Sequence, residues 1–227
     1  MTHSKTTRTR AILAVAALTL GFLAVAPTAD AQYREGRWEF SLGTFYQLGA
    51  GIDTNDGSSV DTGGDFGFAL GGGYNFNEHL ATTFGLQWSG IGYDATGMDE
   101  DGSEFGLRGS YDAFTLSGNL VYNFTENQLT PYVGAGIGWT WIDTNIPNGP
   151  PQTGCWWDPW WGYVCYTSYP TETKDTFSYQ ATIGLRYTFD SDNTFMRFGY
   201  TSQWMDFSGA SGTPRFDVFL LDFGWIF

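Results

Sequence analysis

The sequence predicts an all-β fold, an eight-stranded antiparallel up-and-down transmembrane β-barrel with short periplasmic turns and long extracellular loops. The first observation behind this prediction is composition, because 31 Gly, 19 Phe, 13 Tyr and 10 Trp are unusual for an ordinary soluble domain. The second is an alternation of large apolar residues with small or polar ones, which is the period of a β-strand. The third is a regular exchange of long and short connecting segments.

The alternation is clearest at the carboxy-terminus, in residues 216–227. A soluble strand would place its aromatic face against a core, but this face would be too large if the other strands repeated the pattern. The alternative is a barrel that is apolar towards lipid and polar inside. The residues of the outer face are Phe219, Leu221, Phe223, Trp225 and Phe227.

Seven further segments show the same period and complete the set of strands. In chain order they are residues 37–49, 65–76, 80–92, 110–124, 129–143, 176–189 and 194–207. The opposite face of each is mostly Gly, Ser, Thr, Asn and Gln, which indicates a polar interior. Pairs from the face assigned to lipid are Trp38 and Phe40, Phe66 and Phe68, Phe84 and Trp88, Phe114 and Leu116, Ile137 and Trp139, Tyr179 and Ile183, and Phe198 and Tyr200.

The connections between these strands alternate in length. Four are long (50–64, 93–109, 144–175 and 208–215) and three are short (77–79, 125–128 and 190–193). Outer-membrane barrels have an even strand number, short periplasmic turns and longer outer loops. We therefore expect both termini in the periplasm and all long loops outside. A lipocalin-like soluble barrel also has eight strands, but its interior is apolar and its outer surface is polar and faces water, which is the opposite of the pattern here.

The amino-terminus predicts export. Lys5, Arg8 and Arg10 precede the apolar residues 11–26, and residues 29–31 (Ala-Asp-Ala) form a small-x-small cleavage site. We therefore divide the chain into a cleaved signal peptide, residues 1–31, and an outer-membrane barrel domain, residues 32–227. An uncleaved anchor helix is the alternative, but the apolar run is short and ends at a proline. The net charge of −14 excludes nucleic acid as a partner, since nucleic acid needs a basic surface.

Several segments resemble a known family. Residues 71–80 (GGGYNFNEHL), 130–139 (TPYVGAGIGW), 183–189 (IGLRYTF) and the closing strand are similar to the small outer-membrane barrels grouped around the OmpX, OmpA, OmpW and opacity-protein folds. The resemblance covers the whole mature chain and implies the same fold. It leaves function open, because that family includes adhesins, structural anchors, small-solute channels and lipid enzymes. Phe223, Trp225 and Phe227 resemble the carboxy-terminal signal that the barrel-assembly machinery reads in that family.

Four charged residues are predicted to face the lumen near the periplasmic ends of neighbouring strands. They are Glu39, Arg186, Arg197 and Asp222. We expect them to form an ion-pair network that plugs the narrow interior of an eight-stranded barrel. The alternative hypothesis is a gate in a conducting path.

Residues 154–166 (GCWWDPWWGYVCY) contain both cysteines of the chain, Cys155 and Cys165. An exported protein with an even cysteine count favours a disulfide, whereas a metal site would want more ligands than two thiols. The aromatic residues between them could pack on one another, rest against the lipid interface or form an extracellular binding surface. They are Trp156, Trp157, Trp160, Trp161 and Tyr163.

Evidence for metal sites or catalysis is weak. Residues 53–57 (DTNDG) miss the spacing of a calcium loop. Asp99, Glu100, Asp101 and Glu104 could hold divalent cations shared with lipopolysaccharide, although a solvated acidic loop is the simpler interpretation. His79 is the one histidine of the mature chain and falls at a predicted periplasmic turn. Because no base lies near an outward nucleophile, we expect no enzyme activity and no cofactor.

Together these observations favour an outer-membrane protein of structural or surface-interaction type with a mostly plugged lumen. Its expected partners are outer-membrane lipid and lipopolysaccharide, the barrel-assembly machinery, and an extracellular ligand or surface. A narrow OmpW-like channel for small or hydrophobic solutes is the first alternative. An outer-leaflet lipid-modifying enzyme is the second.

Overall fold

The computed structural model describes residues 34–54, 58–98, 104–189, 193–207 and 210–227. The predicted signal peptide therefore lies outside the described residues. The described residues include no apolar helix of membrane-spanning length. The strands are β1 (Trp38–Gln47), β2 (Gly51–Asp53), β3 (Ser59–Thr62), β4 (Asp65–Asn75), β5 (Leu80–Met98), β6 (Glu104–Asn123), β7 (Leu129–Pro147), β8 (Gln152–Asp158), β9 (Gly162–Ser168), β10 (Thr171–Thr188), β11 (Thr194–Asp206) and β12 (Arg215–Ile226).

Eight of these strands close into a barrel. Around its circumference the order is β1, β4, β5, β6, β7, β10, β11 and β12, and β12 pairs with β1 to complete the circle. Every neighbouring pair is antiparallel. Each of these eight strands therefore pairs on both sides, as backbone groups in lipid require. The predicted fold class is confirmed.

The alternation of side chains matches the prediction. Along β12 the even-numbered residues from Phe216 to Ile226 point inwards, and the odd-numbered aromatic residues point outwards. The outward faces of the other barrel strands likewise carry exposed Phe, Tyr, Trp and Leu, including Phe68 at 72% and Ile137 at 59%. A protein in water would not leave so much apolar surface exposed, but a lipid-facing wall requires it.

The two ends of the barrel differ. We call one the turn end, where residues 76–79, 124–128 and 189–193 join strands, and the other the loop end. Aromatic rings cluster outside the barrel near both ends, as at Tyr187–Phe189 near the turn end and Tyr179–Trp204 near the loop end. Tyr179 and Phe189 are ten positions apart, which is about 25 Å along the axis of a barrel whose strands tilt by about 40°. That spacing matches the apolar band between the aromatic girdles of an outer-membrane barrel.

Several segments predicted as loops are strands. β5 and β6 continue beyond the expected loop boundaries at residues 93 and 109, and they stay paired from Tyr93↔Gly109 to Met98↔Glu104. Residues 50–64 contain β2 and β3, and β3 pairs with the extension of β5. The polar, glycine-rich composition suggested loops, but each extended strand finds a backbone partner, and tertiary pairing overrides local propensity in sheets.

The structure describes only some of the acidic loop residues. Asp99, Glu100 and Asp101 lie outside the described residues, as do residues 55–57 of the calcium-like segment. Glu104 is the first residue of β6. Within the described part of the chain, no three metal-ligating side chains come together. The cation-bridging hypothesis therefore stays a prediction.

Candidate functional site

The four predicted lumen charges lie together at the turn end, and we call them the ion-pair layer. Strand register places them there, because Arg197 on β11 is opposite both Arg186 on β10 and Asp222 on β12. Arg186 Nη1 donates to Glu39 Oε2 at 3.0 Å, and its Nη2 lies 2.7 Å from Glu39 Oε1. Arg197 Nη2 donates to Asp222 Oδ2 at 3.2 Å and to the Ser41 hydroxyl at 3.1 Å. Two ion pairs therefore fill this level of the lumen.

A phenylalanine ring contacts both arginines of the ion-pair layer. The ring of Phe195, which is fully buried, lies 4.2 Å from Arg186 Cζ and 5.0 Å from Arg197 Cζ. Asn75 Nδ2 donates to Glu39 Oε1 at 2.8 Å from the other side. These two residues were missed by the sequence reasoning. The alternation does assign both residues to the lumen, but it does not show which side chains they contact.

Arg34 closes the turn end below the ion-pair layer. It precedes β1, is 1% exposed, and its Nη2 donates to the carbonyls of Glu78 and Thr125 at 2.9 Å each. Its backbone N–H donates to Glu78 Oε1 at 2.8 Å. Burial lowers the pKa of the Arg34 guanidinium, and the nearby charge of Arg186 lowers it further, while the Glu78 carboxylate opposes both effects. No sequence signal indicated this contact, because Arg34 lies before the first strand.

A small polar void lies above the ion-pair layer. Its volume is about 80 Å³, and its lining includes Ser41, Gly71 and Asn119. Gln180 Nε2 donates to Asn119 Oδ1 at 2.6 Å, along the inner wall from β10 to β6 past Gly136 of β7. This level agrees with the predicted polar interior.

The loop-end interior is different, and here the prediction of a mostly polar lumen was wrong. A cavity of about 300 Å³ lies inside the loop end, and we call it the loop-end cavity. Its floor is polar, with the Gln203 amide donating to the Ser178 hydroxyl at 2.9 Å and Thr115 bonded to Thr140 at 2.9 Å. Its walls are apolar or aromatic: Phe45, Ile52, Val60, Tyr93, Ala95, Leu107, Tyr111, Ala113, Ile142, Ile146, Met205, Phe207 and Phe216.

The physical reason for this difference is that the outer parts of the strands and the loop segments share one small core. Phe45 packs with Ala69 and Val218 at the base of the cavity, and Phe216 faces the ring of Phe207. Beyond the lipid band, apolar residues on the outer face of a barrel are no longer covered by lipid. The extended strands therefore turn apolar groups inwards, as a soluble barrel does.

The two cysteines form the predicted disulfide, which is confirmed, within a β-hairpin made of β8 and β9. Cys155 and Cys165 are directly opposite each other, with 4.1 Å between their Cα atoms. Asp158 Oδ1 accepts the backbone N–H groups of Trp160 at 2.8 Å and Trp161 at 2.9 Å. Gly162 follows with a φ of 76°, the left-handed conformation that closes a three-residue hairpin turn. The segment predicted as a stapled loop is a stapled hairpin.

Most aromatic side chains of this hairpin are exposed. Trp156 packs edge to face on Tyr166, with ring centroids 5.3 Å apart, so part of the expected self-packing is present. The remaining rings point into solvent, with exposed fractions of 87% for Trp160, 83% for Trp161 and 71% for Tyr163. Trp157 is exposed in the same way, at 70%.

His79 lies at the turn end, away from the hairpin. Its Nδ1 is 2.8 Å from the Asn123 carbonyl, and its ring stacks on Tyr122. The position agrees with the turn predicted for it, and it places the histidine at the opposite end of the barrel from the loops.

The predicted assembly signal lies on the outer wall near the turn end. Phe223 and Trp225 contact each other edge to face at 5.3 Å, and Trp225 stacks on Phe40 of β1 at 6.4 Å. Phe227 is 68% exposed at the end of the chain. These three rings are therefore accessible from the membrane side.

Comparison with known proteins agrees with this architecture. A family model described as "Outer membrane protein beta-barrel domain" matches residues 15–227. Among solved structures, the outer membrane protein OprG from Pseudomonas aeruginosa is 12% identical, with a TM-score of 0.52 over 87% of this chain and 98% of that chain. Neisserial surface protein A is 13% identical, with a TM-score of 0.49 over 83% and 97%. Ail of Yersinia pestis is 14% identical, with a TM-score of 0.45 over 85% and 99%.

At these identities a structural likeness shows the fold alone. A comparison with curated proteins finds no significant match. The family model, in contrast, spans the whole described barrel. The chain therefore belongs to the outer membrane protein beta-barrel domain family and is a bacterial outer-membrane β-barrel.

Proposed function

We propose that this protein is a closed outer-membrane barrel that presents the β8–β9 hairpin as a binding surface for an extracellular partner. The observation that carries the proposal is the set of four exposed aromatic rings on a disulfide-stapled hairpin: Trp157, Trp160, Trp161 and Tyr163. Binding energy at protein interfaces is concentrated in such residues, above all in Trp and Tyr. A stapled hairpin also loses little conformational entropy on binding.

The charge distribution supports a partner that is recognised by apolar contact. The hairpin, residues 152–168, carries one ionisable acid, Asp158, whereas the whole chain has a net charge of −14. At long range an anionic surface therefore repels the protein. Lipopolysaccharide is a candidate partner through its sugars, with divalent cations bridging its phosphates to the acidic loops.

The proposal includes an orientation and a route of biogenesis. We place the turn end in the periplasm and the loop end outside, with residues 1–31 removed on export. Phe223, Trp225 and Phe227 serve as the signal for the barrel-assembly machinery. The buried ion-pair layer and Arg34 close the periplasmic side.

Binding of the protein in lipid nanodiscs to immobilised lipopolysaccharide and to a glycan array tests the hairpin. The Trp160→Ser/Trp161→Ser variant should lose at least about tenfold in affinity for whichever surface the native protein binds. Thr153→Ala/Thr167→Ala, a pair on the same hairpin, is the matched control and should bind as the native protein does. Equal binding by the tryptophan variant, or no binding by the native protein to either surface, would contradict the proposal.

A narrow channel is the second candidate, and the two internal voids favour it. They are adjacent, since Gln87 lines both the loop-end cavity and the polar void. The ion-pair layer opposes it, because Glu39, Arg186, Arg197 and Asp222 are nearly buried at that level.

Single-channel conductance in planar bilayers separates the two functions. A closed barrel gives no stable openings in the native protein. Openings that Arg197→Ala enlarges would make the ion-pair layer a gate and put transport first. No catalysis is proposed, and a mass change of lipid A on expression would overturn that part.

A further inference from the structure

We propose that the loop-end cavity is a binding site for a small, uncharged, apolar molecule, which enters from outside the cell and is held there without passing through the barrel. The site is separate from the hairpin, so the inference stands independently of the surface-binding function and rests only on the proposed orientation, with the loop end outside the cell. Three features support it: the size of the cavity, the chemistry of its walls and the closure of the lumen by the ion-pair layer.

The size fits a molecule of about two fused aromatic rings or a medium alkyl chain. The cavity measures about 300 Å³, which is at the lower end of the range for small-molecule sites. An engineered apolar cavity of about 150 Å³ in another protein binds benzene. About twice that volume therefore accommodates a two-ring hydrocarbon.

The walls are those of a ligand site and not those of a water-filled funnel. Phe45 and Phe216 are 3% and 2% exposed at its base, and Leu107 and Ile146 are 47% and 38% exposed at its mouth. Water in contact with this much apolar lining is unfavourable by about 25 cal/mol for each Å². An apolar occupant displaces that water and removes the cost.

Several polar groups in the cavity are already paired. The Tyr111 hydroxyl is hydrogen-bonded to Gln47, and the Gln203 amide to Ser178. Lys174 is the one charged residue among the described lining residues, and its Nζ lies 2.7 Å from the Glu172 carboxylate. A charged ligand would find no free counter-charge, so the site selects an uncharged one.

The ion-pair layer prevents passage towards the turn end. Below the cavity, the void of about 80 Å³ is lined by the polar side chains of Asn119, Gln180 and Thr182. The ion-pair layer follows. An apolar molecule would have to shed its contacts with the walls and then cross polar and charged levels. The cavity is therefore a pocket that retains its ligand.

Fluorine NMR of 1-fluoronaphthalene added to the protein in nanodiscs tests the site. The native protein should give a saturable bound resonance distinct from that of the probe dissolved in lipid. Ala113→Phe fills the cavity with a ring and should weaken binding at least about tenfold. Ala135→Phe introduces the same ring on the lipid-facing side of β7 and should leave binding unchanged, as should Cys155→Ser/Cys165→Ser in the hairpin.

Diffraction at the bromine edge from crystals grown with 1-bromonaphthalene locates the probe directly, even if Ala113→Phe does not fold. A bromine peak inside the cavity supports the inference. A peak only on the lipid-facing wall, an NMR signal that merely follows lipid content, or native binding by a folded Ala113→Phe protein would overturn it. A lipid acyl chain occupying the cavity would also overturn it, because the ligand would then come from the membrane.

Discussion

At the turn end the barrel interior is filled by two buried ion pairs, whereas at the loop end mainly apolar side chains surround a cavity of about 300 Å³. The same eight strands build both regions, with the same alternation. The difference comes from what lies outside the wall. Lipid covers the barrel wall between the two aromatic girdles. The strands at the loop end extend beyond this apolar band, so their apolar side chains must pack with one another inside the barrel.

The comparison separates the parts of the molecule that hold the barrel closed from those that can bind. Buried ion pairs in a low-dielectric interior are rigid, because losing a partner leaves a buried charge unsatisfied. An unfilled apolar cavity has no such penalty and can accept a ligand. We therefore expect substitutions at the turn end to affect stability, and those at the loop end to affect binding.

The largest effect is expected from breaking an ion pair at the turn end. Glu39→Ala leaves the Arg186 guanidinium, whose side chain is 3% exposed, without its carboxylate. The free energy of unfolding should fall by about 3–5 kcal/mol, because an uncompensated charge stays buried. Urea unfolding in phospholipid vesicles, followed by tryptophan fluorescence, measures this loss.

Two variants complete that experiment. Asp94→Ala breaks the exposed loop-end pair with Arg108 and should leave stability unchanged, because exposed pairs contribute little. Glu39→Leu/Arg186→Met replaces the buried pair by apolar groups and should recover most of the loss. If Glu39→Ala left the free energy of unfolding unchanged, the turn end would have to be hydrated. The difference in stability effect between the two ends would then disappear.

The tight packing of the turn end is tested at Gly224. A Cβ at this position would collide with the ring of Phe195 and the carbonyl of Phe40. Gly224→Val should therefore lower the free energy of unfolding by about 1–3 kcal/mol. Gly72→Val is the control, since a Cβ there meets only the Glu39 carbonyl at 3.9 Å. If both variants unfolded at the same urea concentration, Phe195 would not be fixed against the arginines.

The two buried phenylalanines provide a matched comparison. Phe195 lies against two guanidinium groups, and Phe216 lies against the Phe207 ring at the loop end. Phe195→Leu and Phe216→Leu both require repacking, but only the first loses cation–π contacts. We expect Phe195→Leu to cost about 1 kcal/mol more in the same unfolding assay. Equal losses would mean that the arginines are held by their carboxylates alone.

The sequence was sufficient to predict the barrel and the turn-end charges, because alternation fixes which side of the wall a residue faces. The distance of each residue from the end of its strand then gave its depth along the barrel axis. The four charged residues Glu39, Arg186, Arg197 and Asp222 could therefore be placed at one level. Contacts from outside the strands were beyond this reasoning. Arg34 precedes the first strand, and no period relates it to Glu78.

The loop-end cavity was missed for a related reason. Its rim is formed by Ile52, Val60, Leu107 and Ile146, all of which fell within predicted loops. Glycine-rich and acidic neighbours indicated flexible connections, and only the pairing of strands brings these residues to one mouth. Local composition contains no information about which distant segment will provide the partner strand.

The smallest expected effect on the free energy of unfolding comes from removing one methylene group. We compare this removal at the two ends of the barrel. Ile226 is 6% exposed and faces the turn-end interior, so Ile226→Val should cost about 0.5–1.5 kcal/mol, as in a packed core. Ile142 faces the loop-end cavity, where part of its side chain has no neighbour to lose. Ile142→Val should therefore cost less than about 0.5 kcal/mol in the same urea titration. Equal costs would indicate that the cavity is closed in the membrane, and they would remove the physical basis for a binding site there.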